Sequence, residues 1–151
     1  MKKLILTGFV MMFATIMWGQ EVIIEDGKYF QEGEPLTGQC IQYYDNGNVK
    51  CETNVINGIP DGLMYLYYEN GKLKEQRSYK NGMKDGVWIQ WDENQNKIAE
   101  ASYKNDKKHG YWYMWDKEGN KRYELYYANG EKQGNWYQWD SNGNLAMEKE
   151  Y

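Results

Sequence analysis

Gly86-Val87-Trp88-Ile89-Gln90-Trp91-Asp92-Glu93-Asn94-Gln95-Asn96-Lys97-Ile98-Ala99-Glu100-Ala101-Ser102-Tyr103-Lys104-Asn105-Asp106-Lys107-Lys108 is one copy of the unit that decides the fold. Val87-Trp88-Ile89-Gln90-Trp91 is a run of branched and aromatic side chains that favours an extended strand. The polar stretch from Asp92 to Asn96 turns the chain, the residues from Lys97 to Tyr103 form a second strand, and Lys104-Asn105-Asp106 turns it back. The same unit recurs on a fixed clock. Gly38, Gly62, Gly86, Gly110 and Gly134 fall every 24 residues, and Gly47, Gly71, Gly119 and Gly143 keep the same time with Gln95 in the missing slot. A constant period of this size marks a repeat array.

Asn-Gly pairs at both kinds of turn, in Asp45-Asn46-Gly47-Asn48, Glu69-Asn70-Gly71-Lys72, Lys80-Asn81-Gly82 and Ala128-Asn129-Gly130, favour hairpins. A helix is excluded by these turns every dozen residues and by the lack of a 3.6-residue apolar period. The expected fold is all-β: an elongated, single-layer antiparallel meander of about five 24-residue hairpin repeats. Its roughly ten strands, at ~4.8 Å each, would span about 45–50 Å.

The columns of the repeat predict the faces. In the second strand, Glu52, Gln76, Glu100, Glu124 and Glu148 mark a wet face, while Val55, Tyr79, Tyr103, Tyr127 and Tyr151 mark the other. In the first strand, Ile41, Tyr65, Ile89, Tyr113 and Tyr137, followed by Tyr43, Tyr67, Trp91, Trp115 and Trp139, contain no polar member and are assigned to the core. The alternate column mixes Trp88, Trp112 and Trp136 with Gln90 and Gln138, which predicts half-exposed indoles.

Residues 1–19 read as a secretory signal: Lys2 and Lys3, an apolar run over residues 4–18, then Gly19. Glu21, Glu25 and Asp26 follow too closely for a stable membrane span. The expected organisation is therefore a signal peptide at 1–19, a lead-in at 20–28 and the array at 29–151, exported to the periplasm or beyond the cell. Cleavage would remove two of the 18 basic residues and none of the 22 acidic ones, leaving a net charge of −6. Nucleic acid is excluded as a partner by that balance, and anionic lipid is disfavoured by it. Disorder is excluded by 17% aromatic residues, although the mean hydropathy is only −0.95. The core must be shallow and built from Tyr and Trp.

Gly-x-Trp-x-x-Trp, then Asp-x-x-Gly-Asn, then Tyr-x-Asn-Gly-x-x-x-Gly, resembles the MORN-repeat variant of bacterial proteins, often grouped as the YwqK-type antitoxin family. The resemblance covers residues 29–151, with an atypical first copy in which Cys40 and Tyr43 replace the Trp pair. It implies the repeat and a binding role, and its label implies an antitoxin. Related eukaryotic repeats imply scaffolding and membrane attachment.

Catalysis finds no foothold in the motifs. The single histidine, His109, shares a column with Asp61, Asp85 and Gln133 before the clock glycine, which reads as a turn position. Asp92, Asp116 and Asp140 lie two strands apart, ~10 Å, too far to share a metal ion. No cofactor is expected and no enzyme. Cys40 and Cys51 flank the first loop and could be bridged after export; a two-residue loop would pair them directly, and a longer one would set them diagonally. The candidate partner surface is Trp88, Gln90, Trp112, Trp136 and Gln138. It could be a track for a protein anchor or for sugar rings, or a set of indoles packed over their own strands. A protein partner is the first expectation and a glycan the second. The last strand, with Glu148, Lys149 and Glu150, is a further candidate edge for strand addition.

Overall fold

A computed structural model describes residues 16–17 and 20–151, with side chains described from Val22 onward. The signal-peptide expectation, apart from residues 16–17, lies outside the described residues. β1 (Ile16–Met17), β2 (Gln20–Glu25), β3 (Lys28–Gln31) and β4 (Glu34–Pro35) form a small antiparallel sheet. The chain enters a long sheet through β5 (Gly38–Tyr43), β6 (Val49–Ile56), β7 (Ile59–Tyr67) and β8 (Leu73–Lys80). It continues through the two-residue β9 (Met83–Lys84), β10 (Gly86–Trp91), β11 (Lys97–Lys104) and β12 (Lys107–Trp115). β13 (Lys121–Ala128), the two-residue β14 (Glu131–Lys132), β15 (Asn135–Trp139) and β16 (Leu145–Glu150) follow. Ten of these strands neighbour one another in sequence order, every pair antiparallel, with β9 and β14 as short side pairings. The all-β meander of successive hairpins is the fold that the 24-residue clock predicts, and no helix forms among the described residues.

Two turn chemistries alternate along the sheet. At 57–58, 81–82, 105–106 and 129–130 both turn residues have positive φ, and the flanking residues pair directly, as Lys80 does with Met83. These are two-residue turns of the mirror-image type that matches strand twist. The other loops are longer. In Tyr44-Asp45-Asn46-Gly47-Asn48 only Gly47 has positive φ, Gly47 N–H donates to Tyr44 C=O, and Tyr44 N–H donates to Asn48 C=O. Gln95, at φ 69, takes the same left-handed conformation where the glycine is missing. A bulge recurs just before each loop, at Gln42/Tyr43, Leu66/Tyr67, Gln90/Trp91, Met114/Trp115 and Gln138/Trp139.

Neighbouring repeats latch through one column. Thr37 Oγ1, Asp61 Oδ2, Asp85 Oδ2 and His109 Nδ1 each accept the backbone N–H of the turn asparagine twenty residues on. His109 is a turn-latch residue, in keeping with its column.

The cross-strand register corrects the expected core. Ile41 pairs with Glu52, Tyr65 with Gln76, Ile89 with Glu100, Tyr113 with Glu124 and Tyr137 with Glu148. Directly paired residues point to one face, so the column assigned to the core shares its face with the carboxylates. The drier face is the opposite one. It carries Cys40, Met64, Trp88, Trp112 and Trp136 with Val55, Tyr79, Tyr103, Tyr127 and Tyr151, and its most enclosed members are Val55 (1% exposed) and Cys40 (2%).

Residues 20–28, expected as a lead-in, are strand β2 and the start of β3. Val22, Tyr29 and Leu36 pack with Cys40 and Val55 in one buried cluster. Backbone bonds fix the join: Tyr29 N–H donates to Gly58 C=O, and Gly58 N–H donates to Leu36 C=O. The small sheet thus lays a second layer over the drier face at the N-terminal end of the array.

Candidate functional site

Beyond that covered end, the drier face closes itself with a ladder of alternating rings. Ring centroids lie 5.5 Å apart for Tyr79–Trp88, 5.1 Å for Trp88–Tyr103 and 5.2 Å for Tyr103–Trp112. The series continues at 5.5 Å for Trp112–Tyr127, 5.1 Å for Tyr127–Trp136 and 4.7 Å for Trp136–Tyr151. These separations and tilts are those aromatic pairs prefer. Each indole N–H is satisfied at 3.0 Å by a backbone carbonyl: Trp88 donates to Ser78, Trp112 to Ser102 and Trp136 to Tyr126.

Lysines complete the ladder. Lys84 lies 4.8 Å from the Trp88 ring and 5.1 Å from Tyr103, and Lys108 lies 4.2 Å from Trp112 and 4.7 Å from Tyr127. Lys132 repeats the arrangement over Trp136 and Tyr151, at 4.4 and 4.6 Å. Arg77 sits 5.2 Å from the Trp88 ring and holds Glu75 at 2.7 Å. Each ammonium or guanidinium is attracted by the negative face of its ring.

One place in the ladder is left open. Between the indole strands, the central column holds Arg77, Ala101, Leu125 and Lys149, and the next column holds Glu75, Ala99, Tyr123 and Met147. Ala101 pairs with both Trp88 and Trp112, and Ala99 with both Gln90 and Met114. Where the neighbouring repeats place long side chains, these two alanines leave a groove of about 260 Å³, walled by Trp88, Gln90, Trp112 and Met114. Glu75 and Tyr103 also border it.

The structure brings Trp88, Gln90 and Trp112 of the expected surface to this groove and leaves Trp136 and Gln138 one repeat away. Trp88 and Trp112 are half-buried, Trp136 is buried, Gln90 is exposed and Gln138 is half-buried. Sequence reasoning passed over Ala99 and Ala101. Their signal was smallness in columns that otherwise carry large residues.

The opposite face is organised differently. Lys97 and Lys121 each contact a carboxylate three residues on, Glu100 and Glu124, at 2.7 Å, and lie near the rings of Trp115 and Trp139. Tyr111, Tyr113 and Trp115 follow one another on this face. At the loops, Asp92 Oδ1 accepts the N–H of Asn94 and of Asn96, and Asp140 Oδ1 accepts those of Asn142 and Asn144. The backbone N–H of Asn96 holds the Asp92 carboxyl below its ordinary range, and that of Asn144 does the same for Asp140. Bonds to the charged form have this effect. These aspartates are loop residues, as their spacing predicts.

Cys40 and Cys51 are both buried thiols. Cys40 pairs with Thr53 and Cys51 with Gln42, so they stand diagonally, as the longer loop requires. Burial, and then the neighbouring Cys40, push the Cys51 thiol up to about 11. Burial also raises the Tyr29 phenol, with both thiols adding to the effect.

Comparison with known proteins places the repeat. The family model described as "MORN repeat variant" matches residues 36–57, 60–81, 84–105 and 132–151, together more than half of the chain. Residues 106–131 fall between the matches, yet β12 and β13 there pair as the other hairpins do. No curated protein matches the chain. Among solved structures, 93% of the chain aligns with 26% of a chain in "Crystal structure of GtfA/B complex bound to UDP and GlcNAc", at 9% identity and a TM-score of 0.32. The chain therefore spans about a quarter of that protein's length, and a likeness so slight carries no argument.

Proposed function

The chain belongs to the MORN repeat variant family, and from that premise we propose that it is an exported, non-enzymatic scaffold that binds a protein partner through the ladder face of its sheet. The observation that carries this reading is the uneven cover of that face. At the N-terminal end the small sheet lies over Cys40 and Val55, whereas the third repeat leaves a groove between Trp88 and Trp112. An aromatic-walled recess ringed by charged groups is the usual form of a protein-binding hot spot. Stacking a sugar on the indoles is less well served, because Tyr rings and lysine ammonium groups already engage them.

A cross-linked pull-down of the tagged full-length protein from its native cells, paired with cell fractionation, tests the reading. One dominant envelope or secreted protein, absent from an Ala101→Leu pull-down, supports it. Retention on cell-wall polysaccharide without a protein partner replaces it with glycan binding. Relief of a toxic neighbour's growth defect by a leaderless chain would replace it with the antitoxin role that the family resemblance implies.

A further inference from the structure

The net charge of −4 for the whole chain conceals a division between the two faces. Within the described strands of the second to fifth repeats, the ladder face carries Arg77, Lys84, Lys108, Lys132 and Lys149, all of them set over its rings. Its one carboxylate there, Glu75, is tied to Arg77. The acidic column Glu52, Glu100, Glu124 and Glu148 points to the other side, opposite Ile41, Ile89, Tyr113 and Tyr137. An acidic protein thus presents a basic aromatic face.

We infer that the groove over Ala99 and Ala101 receives a large aliphatic side chain from an extended acidic segment of a partner protein, whose carboxylates settle on Lys84 and Lys108. The inference rests on the scaffold reading above and names the partner's chemistry. Two features of the site support it. The first is shape: the next repeat fills the same position with its own Leu125, which pairs with Trp112 as Ala101 does, so a leucine-sized group fits between the strands. The second is charge complementarity. Each groove wall is an indole with an ammonium group over it, Lys84 on Trp88 and Lys108 on Trp112. The two indoles stand on strands two places apart, ~10 Å at the usual strand spacing. Side chains of an extended chain alternate in direction, so residues i, i+2 and i+4 of a bound segment face the sheet and span about 13 Å, enough to set the first and last over the two ammonium groups. The recognised segment therefore carries acids four residues apart with the aliphatic residue midway between them.

Selection of a displayed random-peptide library against the full chain tests this directly, with affinities then measured by tryptophan fluorescence. The expected winners have the acid–aliphatic–acid pattern, bind more weakly at high salt, and lose at least about tenfold in affinity to Ala101→Leu. Ala101→Leu imports the residue that the adjacent repeat already uses, and circular dichroism checks that the sheet is intact. A milder variant, Lys84→Gln with Lys108→Gln, should cost severalfold and flatten the salt dependence. Winners that bind Ala101→Leu undiminished, or that are basic, overturn the groove and leave the scaffold reading standing. No peptide winner, with binding instead to phosphatidylglycerol vesicles or soluble polysaccharide, overturns both.

Discussion

The two ends of the array bury the same face in opposite ways. At the N-terminal end, Val22 and Tyr29 from another sheet, with Leu36 from the link that follows it, cover small residues, Cys40 and Val55. At the C-terminal end, Leu125, Tyr127 and Trp136 form a buried cluster, with Trp112 and Tyr123 packed against it, inside a single layer. A single sheet can exclude water only with side chains long enough to lie over their neighbours. Where the columns shrink to Cys and Val, a second layer becomes necessary. Where they hold Trp, Tyr and Lys, it does not.

The sharpest way to break this comparison is to remove one ring from the self-covered end. Trp136→Ala deletes two ring contacts, a cation–π pair and an indole hydrogen bond. It should cost about 3–4 kcal/mol in denaturant unfolding. A loss below about 1 kcal/mol would show that the ladder is decoration. Val55→Ala makes the matching change at the covered end and should cost about 2 kcal/mol, since the overlying layer limits collapse into the space.

The glycines divide by position rather than by end. A Cβ on Gly86 would come 2.8 Å from the side-chain Oγ of Ser78, at φ +101, whereas one on Gly119 would meet open space at φ +84. Gly86→Ala should therefore cost about 2 kcal/mol and Gly119→Ala about 1 kcal/mol, the latter from left-handed strain alone. Equal losses in thermal unfolding would show that the crowding is relieved by a rotation of Ser78.

The smallest effect concerns accessibility. Cys51, buried beside Cys40 and raised to about 11, should label slowly with iodoacetamide at pH 8 in the native protein. Leu36→Ala should speed that labelling by loosening the overlying layer. Because the folded thiol's pKa lies above the 9.0 of a free thiol, the thiol contributes stability below pH 9 that is lost as the pH rises toward 11. Stability unchanged across that window would show that Cys51 is reached by water.

Much of this architecture was legible in the chain itself. Glycine spacing and Asn-Gly turns gave strands, loops and topology, because each needs a backbone conformation that few residues adopt. The face of the first strand was not legible. Both of its columns are rich in aromatics, and only the pairing of Ile89 with Glu100 shows which one faces the carboxylates. The covering sheet escaped because its strands, which end at Pro35, precede the first matched repeat at residue 36. The groove escaped for a third reason: a site made by the absence of side chains leaves no motif, only one alanine in each of two columns that hold larger residues in the neighbouring repeats.

The latch formed by Thr37, Asp61, Asp85 and His109 has a further consequence. Each of these side chains reaches one turn ahead and no further, so among the described residues the latch ties each repeat only to the next. Such an array is a ruler with fixed graduations. Inserting or deleting 24 residues should move the face by two strands, ~10 Å, and leave every other graduation in place. Evolution can then adjust the distance between the covered end and the groove in whole steps, without redesigning either.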